Sequence, residues 1–493
     1  MESRDIVLAV ALAYLAVNLA VGLWPSSGRT EESATGYVAG NRSLGLLVMY
    51  FITGATVFSA FAFLGMPGWA YERGGAAFYI LAYGTIGFVP FYFLGPRAAR
   101  LGRAFGFVTQ AEMVAHRFGS RSIAGAMALI SVAAFIPYLA IQMKGAGVVF
   151  SALTDGRIGE PLGAGIVYAV VLVYVLKSGV LGVGWTNTLQ GLFMLALAWG
   201  IGLWLPHVLY GGVGEMFRQV EAAKPGFATA PGLTGAGTPW TWAGYSSAVL
   251  VSMVGFSFWP HLFMKAFTAK DDRTIKRTVV LYPTFQLFLL PILIIGFSGV
   301  LFATSPERAD QIVPHMLLNI EMPALVVGLF CAGALAASMS SGDAMAHAAA
   351  SIAVRDGLVT AGGMRPTPTR ERSLIRAVVA VVMVSSYALA ILYQGNLVDL
   401  LLLAYGPITQ FAPAVVAVLC WRRASGSGVL AGLLAGATVN LLLRFWPEWK
   451  PWPLHEGLYG LIVNVTVLIL VSRMTRRADE GDDDRWFSVA DGP

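Results

Sequence analysis

The sequence contains little charge for its length. Of its 493 residues only 12% are charged and 57% are hydrophobic, whereas charged residues make up about 25% of a typical soluble domain. Its mean hydropathy is +0.69. These values exclude an ordinary aqueous globular protein and indicate an all-α, polytopic membrane protein.

Cysteine and histidine are also scarce. The two cysteines, Cys331 and Cys420, both fall within apolar segments, which excludes a disulfide framework. The six histidines are scattered, whereas a metal-dependent intramembrane enzyme would need paired His or acidic ligands. The sequence contains no glycine-rich phosphate loop followed by Lys and Ser or Thr, which argues against ATP-driven transport. We therefore expect neither an enzyme nor an organic cofactor.

Positive charge is concentrated in alternate loops. The chain has 33 Lys and Arg against 27 Asp and Glu, a formal net charge of +6, but no soluble domain on which a nucleic acid would bind. One set of short loops holds roughly three times as many basic residues as the other, and the positive-inside rule assigns that set to the cytoplasm. The rule predicts a multi-pass protein of the cell membrane with its N-terminus outside and its C-terminus cytoplasmic. We expect it to be a monomer among membrane lipids.

Apolar stretches long enough to cross a bilayer predict about 13 transmembrane helices. They lie near 5–24, 44–70, 76–96, 122–153, 162–177, 181–209, 243–267, 277–303, 322–353, 374–394, 397–421, 427–444 and 456–472. We expect a single transmembrane domain over 1–473. The polar, acidic residues 474–493 are expected to form a disordered cytoplasmic tail.

Small polar residues interrupt the segment 322–353. Ala337, Ser340 and Ser341 are three and four residues apart and so share one helical face, and Asp343 follows. Hydroxyls and a carboxylate at membrane depth usually face a cavity, a partner helix or an ion. Close helix packing by small residues is the alternative. This run is the first candidate for a coupling-ion site.

Two other segments contain residues that favour an opened helix. Gly, Thr and Ser are clustered over 54–68, with Pro67 near the end, and a second candidate break lies at 255–260. An opened helix frees backbone carbonyls that can coordinate a small hard cation. Helix packing would also explain the glycines. Two interrupted helices about five segments apart are typical of an inverted-repeat transporter.

Four stretches, in order along the chain, resemble motifs of the sodium/solute symporter family, which includes proline, pantothenate, monocarboxylate, sialic acid and glucose carriers. They are 40–45 with the following 54–68, 185–191, 260–271 and 411–432. The resemblance implies the leucine-transporter type of fold, with two inverted repeats of five helices. Core repeat one would span about 44–209 and core repeat two about 243–421, with extra helices at 5–24, 427–444 and 456–472. It also implies sodium-coupled import of a small organic solute by alternating access.

The resemblance, carried over residue by residue, implies a sodium site. Ala55, Phe58 and Ala337 would contribute backbone carbonyls, and Ser340 and Ser341 would contribute hydroxyls. Such an oxygen set suits a dehydrated hard cation.

A second cation or proton site is expected between segments 181–209 and 322–353. Asn187 stands where the family often has Asp, while Asp343 supplies a carboxylate from the opposite segment. His347 lies four residues after Asp343, so this pair would alternatively exchange a proton or form a structural hydrogen bond.

The substrate is the least determined property. The stretch 137–145 resembles an element of monocarboxylate and pantothenate carriers, and Lys144 within it would neutralise a carboxylate or extend its ammonium to the membrane interface. A monocarboxylate or pantothenate-like acid is the preferred solute, and a proline-like amino acid or a sugar is the alternative. A membrane sensor or a passive channel is the alternative from another class. The residues expected to line a central pocket are Phe58, Phe61, Gln142, Lys144, Phe256 and Trp259.

Overall fold

The structure, a computed structural model, describes residues 3–27, 34–154, 156–320, 322–393, 404–475 and 481–492. Within these ranges the chain is helical, and its only β-type pairings are two isolated bridges. The main helices are α1 (Ser3–Leu23), α2 (Ala34–Ala39), α3 (Leu46–Val57), α4 (Met66–Arg73), α5 (Tyr79–Ile86), α6 (Pro90–Phe105), α7 (Gln110–Phe118), α8 (Arg121–Leu153), α9 (Glu160–Tyr210), α10 (Val213–Ala223), α11 (Trp242–Phe256), α12 (Pro260–Phe263), α13 (Lys265–Thr268), α14 (Asp272–Gln286), α15 (Leu289–Ser298), α16 (Ile312–Asn319), α17 (Ala324–Ile352), α18 (Pro368–Leu392), α19 (Ala404–Cys420), α20 (Gly426–Phe445), α21 (Glu456–Met474) and α22 (Gly481–Asp491).

Eight helices of the described ranges are long and apolar enough to cross a membrane, or up to ten if each of two bent pairs is one span. The predicted segments 162–177 and 181–209 are joined in α9, which has 51 residues. A straight helix of that length would extend about 77 Å, against a hydrocarbon core of about 30 Å. The backbone leaves helical geometry at Gly179, with φ 55° and ψ −144°, and this break divides α9 into the two predicted spans.

Both predicted helix breaks are present. The chain bends by 55° between α3 and the helical stretch that begins at Phe61, and by 42° between α11 and α12. These are the first helices of the two predicted repeats. A pair of interrupted helices in corresponding positions agrees with an inverted repeat.

The helix that carries the polar run lies at the centre of the molecule. Every residue of α17 from Phe330 to Ile352 is buried, and this helix packs against α1, α3, α8, α9 and α18. The many Ala, Gly and Ser residues of α17 allow this close approach. Its hydroxyls therefore face other helices rather than lipid.

The end of the chain differs from the expected disordered tail. Residues 481–491 form the helix α22, in which Trp486, Phe487 and Ala490 are buried. The Trp486 indole N–H donates to the Val418 carbonyl at 3.0 Å, and its ring stacks on Phe105. The prediction of disorder is wrong for this stretch because three apolar residues share one face of a helix within an acidic sequence. Residues 476–480, and residues 397–403 of a predicted span, lie outside the described ranges.

Candidate functional site

The break after α3 leaves backbone groups without their helical partners. In a continuous helix the N–H groups of Ser59 and Ala60 would bond to the carbonyls of Ala55 and Thr56. The Ser59 N–H instead donates to the Val57 carbonyl at 3.0 Å. The carbonyls of Ala55 and Thr56 are thereby available to other groups.

The hydroxyl of Ser340 on α17 meets the carbonyls freed by this break. Its Oγ lies 2.9 Å from the Ala55 carbonyl oxygen, 3.1 Å from that of Ala337 and 3.5 Å from that of Phe58. A hydroxyl has one hydrogen and can donate to only one of these oxygens at a time. Three carbonyl oxygens around one hydroxyl oxygen form the kind of ligand set that hard cations prefer.

Ser341 lies at the same junction but contacts a different atom. Its hydroxyl donates to the Thr56 carbonyl at 2.8 Å, and both side chains are buried. The structure therefore brings the five residues of the predicted sodium site together between α3 and α17. No sequence signal had marked Thr56 as the acceptor for Ser341.

Asp343 and Asn187 are in direct contact, as the prediction of a paired site requires. Asp343 is buried and accepts hydrogen bonds from Tyr174 at 2.7 Å, Thr186 at 3.2 Å and Asn187 Nδ2 at 3.1 Å. The Asn187 Oδ1 in turn accepts from Thr56 Oγ1 at 3.1 Å. A hydrogen-bond network thus connects the carboxylate on α17 to the end of α3. Thr186 lay in a motif noted in the sequence, whereas Tyr174 gave no signal.

His347 does not join this network among the described residues. Its Nε2 lies 3.0 Å from the Tyr37 carbonyl oxygen, and its ring packs against the Tyr37 ring. The expected alternative of a direct hydrogen bond between Asp343 and His347 is therefore not present in this structure, because the imidazole is turned towards the chain before α3.

A small cavity of about 20 Å³ lies beside the break, with room for about one water molecule. Its polar lining residues are three tyrosines and one glutamine, and none of the described lining residues carries a charge. The lining residues are Val57, Phe58, Phe61, Ala62, Ile80, Tyr83, Gly84, Tyr138, Phe256, Gln286, Leu289 and Tyr405.

Three of the residues predicted for a central pocket line this cavity, namely Phe58, Phe61 and Phe256. Trp259 stands behind it, with its ring 5.0 Å from that of the lining residue Tyr138. The lining also includes Tyr83, Tyr138, Tyr405 and Gln286, which were not predicted for the pocket. Gln286 is a lone glutamine in the predicted apolar span 277–303, and it therefore gives the same kind of signal as Gln142.

Gln142 and Lys144 were expected in the same pocket, but neither is among its described lining residues. Gln142 Oε1 accepts the backbone N–H of Ala60 at 2.8 Å. Lys144, two residues further and so about 200° around α8, donates to the Tyr393 carbonyl at 2.9 Å. Lys144 lines a separate cleft of about 370 Å³ with Arg308 and other residues. A spacing of two residues cannot direct both side chains to one helical face.

The fold and the site together define a class of protein. Two interrupted helices that pack against an unbroken helix with buried hydroxyls, in the middle of a membrane-spanning bundle, are characteristic of leucine-transporter-type secondary transporters.

The chain belongs to the sodium:solute symporter family, whose model matches residues 37–436. It is 28% identical over 491 residues to the uncharacterized symporter YhjB of Bacillus subtilis, with 97% of this chain and 99% of that protein covered. It is 24% identical over 486 residues to a monocarboxylate transport permease protein of Rhizobium johnstonii, with coverage of 95% and 96%. A solved structure of a Na+-coupled sialic acid symporter, substrate-bound and outward-open, matches with a TM-score of 0.79 at 21% identity over 96% of this chain and 98% of that one. The protein is therefore a membrane transporter rather than an enzyme, and its family supports sodium-coupled symport of a small solute.

Proposed function

We propose that this protein uses inward sodium flux to import a small organic acid across the cell membrane by alternating access. The observation that carries the proposal is the position of Ser340 Oγ, within 3.5 Å of the carbonyl oxygens of Ala55, Phe58 and Ala337. Ser341 supplies a fifth oxygen at the same junction.

The ligands of this site come from two separate elements, which alternating access would move relative to each other. Ala55 lies in the last turn of α3 and Phe58 directly follows it, and α3 packs against α9 and α14, whereas Ala337 and Ser340 lie on α17. A sodium ion between them binds most tightly when all the oxygens are in reach. By its differential affinity it stabilises that arrangement over one in which the two elements have separated.

The cavity beside the break has room for about one water molecule in this structure, and the character of its walls, rather than its volume, supports a small, largely apolar solute. Its aromatic and aliphatic walls suit a short hydrocarbon chain, and its described lining offers few polar partners for the hydroxyls of a sugar. Because that lining lacks a charged residue, a substrate carboxylate would be neutralised by the sodium ion. The name of the Rhizobium johnstonii relative agrees with a monocarboxylate. A proline-like amino acid is the second candidate, since aromatic faces also attract an ammonium group.

Uptake into proteoliposomes tests the proposal. Labelled pyruvate, pantothenate and proline would be offered separately, with either an inward sodium gradient or an equal potassium gradient. We expect accumulation of one acid above its outside concentration in sodium only. Accumulation that is indifferent to sodium would contradict sodium coupling, and accumulation of proline alone would contradict the preferred substrate.

The replacement Ser340→Ala tests the ion site itself. Removal of the hydroxyl takes away one oxygen ligand, and we expect the sodium concentration for half-maximal uptake to rise at least tenfold, about 1.4 kcal/mol. Ser386→Ala is the matched control, because Ser386 is an equally buried serine on α18. An unchanged sodium dependence in the Ser340 variant would count against the site.

A further inference from the structure

We infer that Gln142 is a positioning residue that holds the break after α3 open and so presents the carbonyls of the sodium site to α17. The inference rests on the proposed function in one respect, namely that sodium is the ion whose affinity Gln142 controls.

One helical hydrogen bond is missing at the break after α3. In a continuous helix the N–H of Ala60 would donate to the carbonyl of Thr56. Here the N–H donates to Gln142 Oε1 at 2.8 Å, and the carbonyl accepts from Ser341 Oγ at 2.8 Å. Both halves of the broken bond are thus satisfied by side chains of neighbouring helices. An orphaned backbone group in this buried place would be costly.

The position of the Gln142 amide is itself fixed. Its Nε2 donates to the Tyr138 carbonyl one turn earlier in α8, at 3.2 Å. Its own backbone carbonyl accepts from Ser338 Oγ at 2.7 Å, and Ser338 is the neighbour of Ala337 on α17. One fully buried residue therefore contacts the break through its side chain and the sodium-site helix through its backbone.

Loss of this acceptor has a specific expected consequence. The Ala60 N–H would return to the Thr56 carbonyl, and closure of the helix would next pair the Ser59 N–H with the Ala55 carbonyl. The Ala55 carbonyl would then point along the helix axis and leave the sodium site. Sodium affinity falls, while the sodium-free protein gains helical hydrogen bonds and keeps its stability.

The test uses the purified full-length protein and three variants. Gln142→Leu removes the acceptor at similar volume, Gln142→Glu keeps an oxygen in its place, and Met143→Leu is the control at the adjacent buried position. The thermal midpoint of each is measured against sodium concentration, with potassium replacing sodium at constant ionic strength. Where Gln142→Leu does not fold, Gln142→Met takes its place.

We expect the wild-type, Gln142→Glu and Met143→Leu proteins to be stabilised by sodium over the same concentration range. Gln142→Leu should need at least tenfold more sodium, with its midpoint in potassium unchanged. The KM for the solute at saturating sodium should stay within about twofold, since Gln142 is not among the described lining residues of the proposed solute cavity. A normal sodium range in Gln142→Leu, or an equal loss in Gln142→Glu, would overturn the inference, as would a lowered midpoint in potassium with normal sodium dependence.

A wild-type protein that sodium does not stabilise would instead contradict the proposed function. Hydrogen exchange of the amides of residues 56–63 in potassium then decides the inference separately. Slower exchange in Gln142→Leu than in the wild type would support closure of the helix, and unchanged exchange would overturn it.

Discussion

Ser340, Ser341 and Asp343 lie within four positions of one helix but make different kinds of contact. Ser340 meets three carbonyl oxygens, Ser341 satisfies a single carbonyl of the break, and Asp343 accepts from three donors on α9. The adjacent serines thus contact adjacent carbonyls of α3, whereas the carboxylate faces the opposite neighbour. A cation at Asp343 would have to displace hydrogen-bond donors, which favours a structural carboxylate that orients Asn187.

An exchange of the two side chains tests that interpretation. Asp343→Asn alone leaves amide hydrogens facing the donors of Tyr174 and Asn187, and we expect uptake to fall at least tenfold, since unsatisfied buried groups cost about 1–3 kcal/mol. The double variant Asp343→Asn with Asn187→Asp returns a carboxylate to the network from α9. It should recover at least half of the wild-type uptake rate.

The single variant Asn187→Asp provides the control for the exchange. It places two carboxylates in contact, and like charges that close cannot both ionise readily, so it should be the least stable of the three in a thermal melt. A double variant as inactive as Asp343→Asn would show that the carboxylate must come from α17.

The sequence predicts candidate ion ligands, which lie close together in the structure, but it does not predict the residues that hold them in place. Ala337, Ser340 and Ser341 follow from local periodicity, because three- and four-residue spacings share a helical face. The roles of Gln142 and Thr56 depend on which helices meet, and nothing in the spacing along α8 or α3 reveals that Gln142 Oε1 reaches the Ala60 N–H. Lys144 was wrongly expected in the central pocket for the same reason. A charge at membrane depth indicates that a residue has a role, but it does not indicate the direction in which the side chain points.

At the scale of the element, glycine composition predicts that a helix opens but not where it bends. The glycines of 54–68 are spread over many residues, and the observed break falls at 58–60. Side chains of neighbouring helices bond the backbone there, because Ser341 donates to the Thr56 carbonyl and Gln142 accepts from the Ala60 N–H. The break in α9 falls at Gly179 for a steric reason, because its φ of 55° and ψ of −144° belong to a region that only glycine occupies readily.

Two glycines of α9 provide a matched comparison. An alanine at Gly179 would be strained at the positive φ of this residue, and its Cβ would also lie 2.6 Å from the Tyr37 carbonyl oxygen. A Cβ on Gly200 would have no atom of the described chain within 4 Å. We expect Gly179→Ala to lower the free energy of unfolding by more than about 1 kcal/mol, and Gly200→Ala to leave it unchanged or slightly raised. Thermal melts in detergent measure both. Equal midpoints for the two variants would contradict the view that this break is sterically fixed.

At the scale of the whole molecule, the arginines that predict topology also tie the helix ends together. Arg100 pairs with Asp272 at the start of α14 at 2.6 Å, and Arg117 on α7 donates to the Ala417 carbonyl near the end of α19 at 2.6 Å. The helix α22 lies against both α6 and α19 at this face. The helix α6 also packs against α14, and α19 also packs against α7. Because α6 lies in the first predicted repeat and α19 in the second, the docking of α22 couples helices from both repeats.

The docking of α22 depends on Trp486, which is buried and bonded to Val418 on α19. An isolated helix of 11 residues is unstable in water, so undocking and unfolding of α22 are one event that hydrogen exchange can follow. Trp486→Ala should remove about 3 kcal/mol of docking free energy and raise the undocked population by about two orders of magnitude. Faster exchange of the amides of 481–491 in that variant would report this change.

Ser488→Ala, at an exposed position of the same helix, is the control and should exchange like the wild type. Equal exchange in all three proteins would mean that other contacts of α22, among them the ion pairs of Asp484 with Arg422 and Asp491 with Arg97 and the cation–π contacts of Phe487, hold this helix in place without the indole.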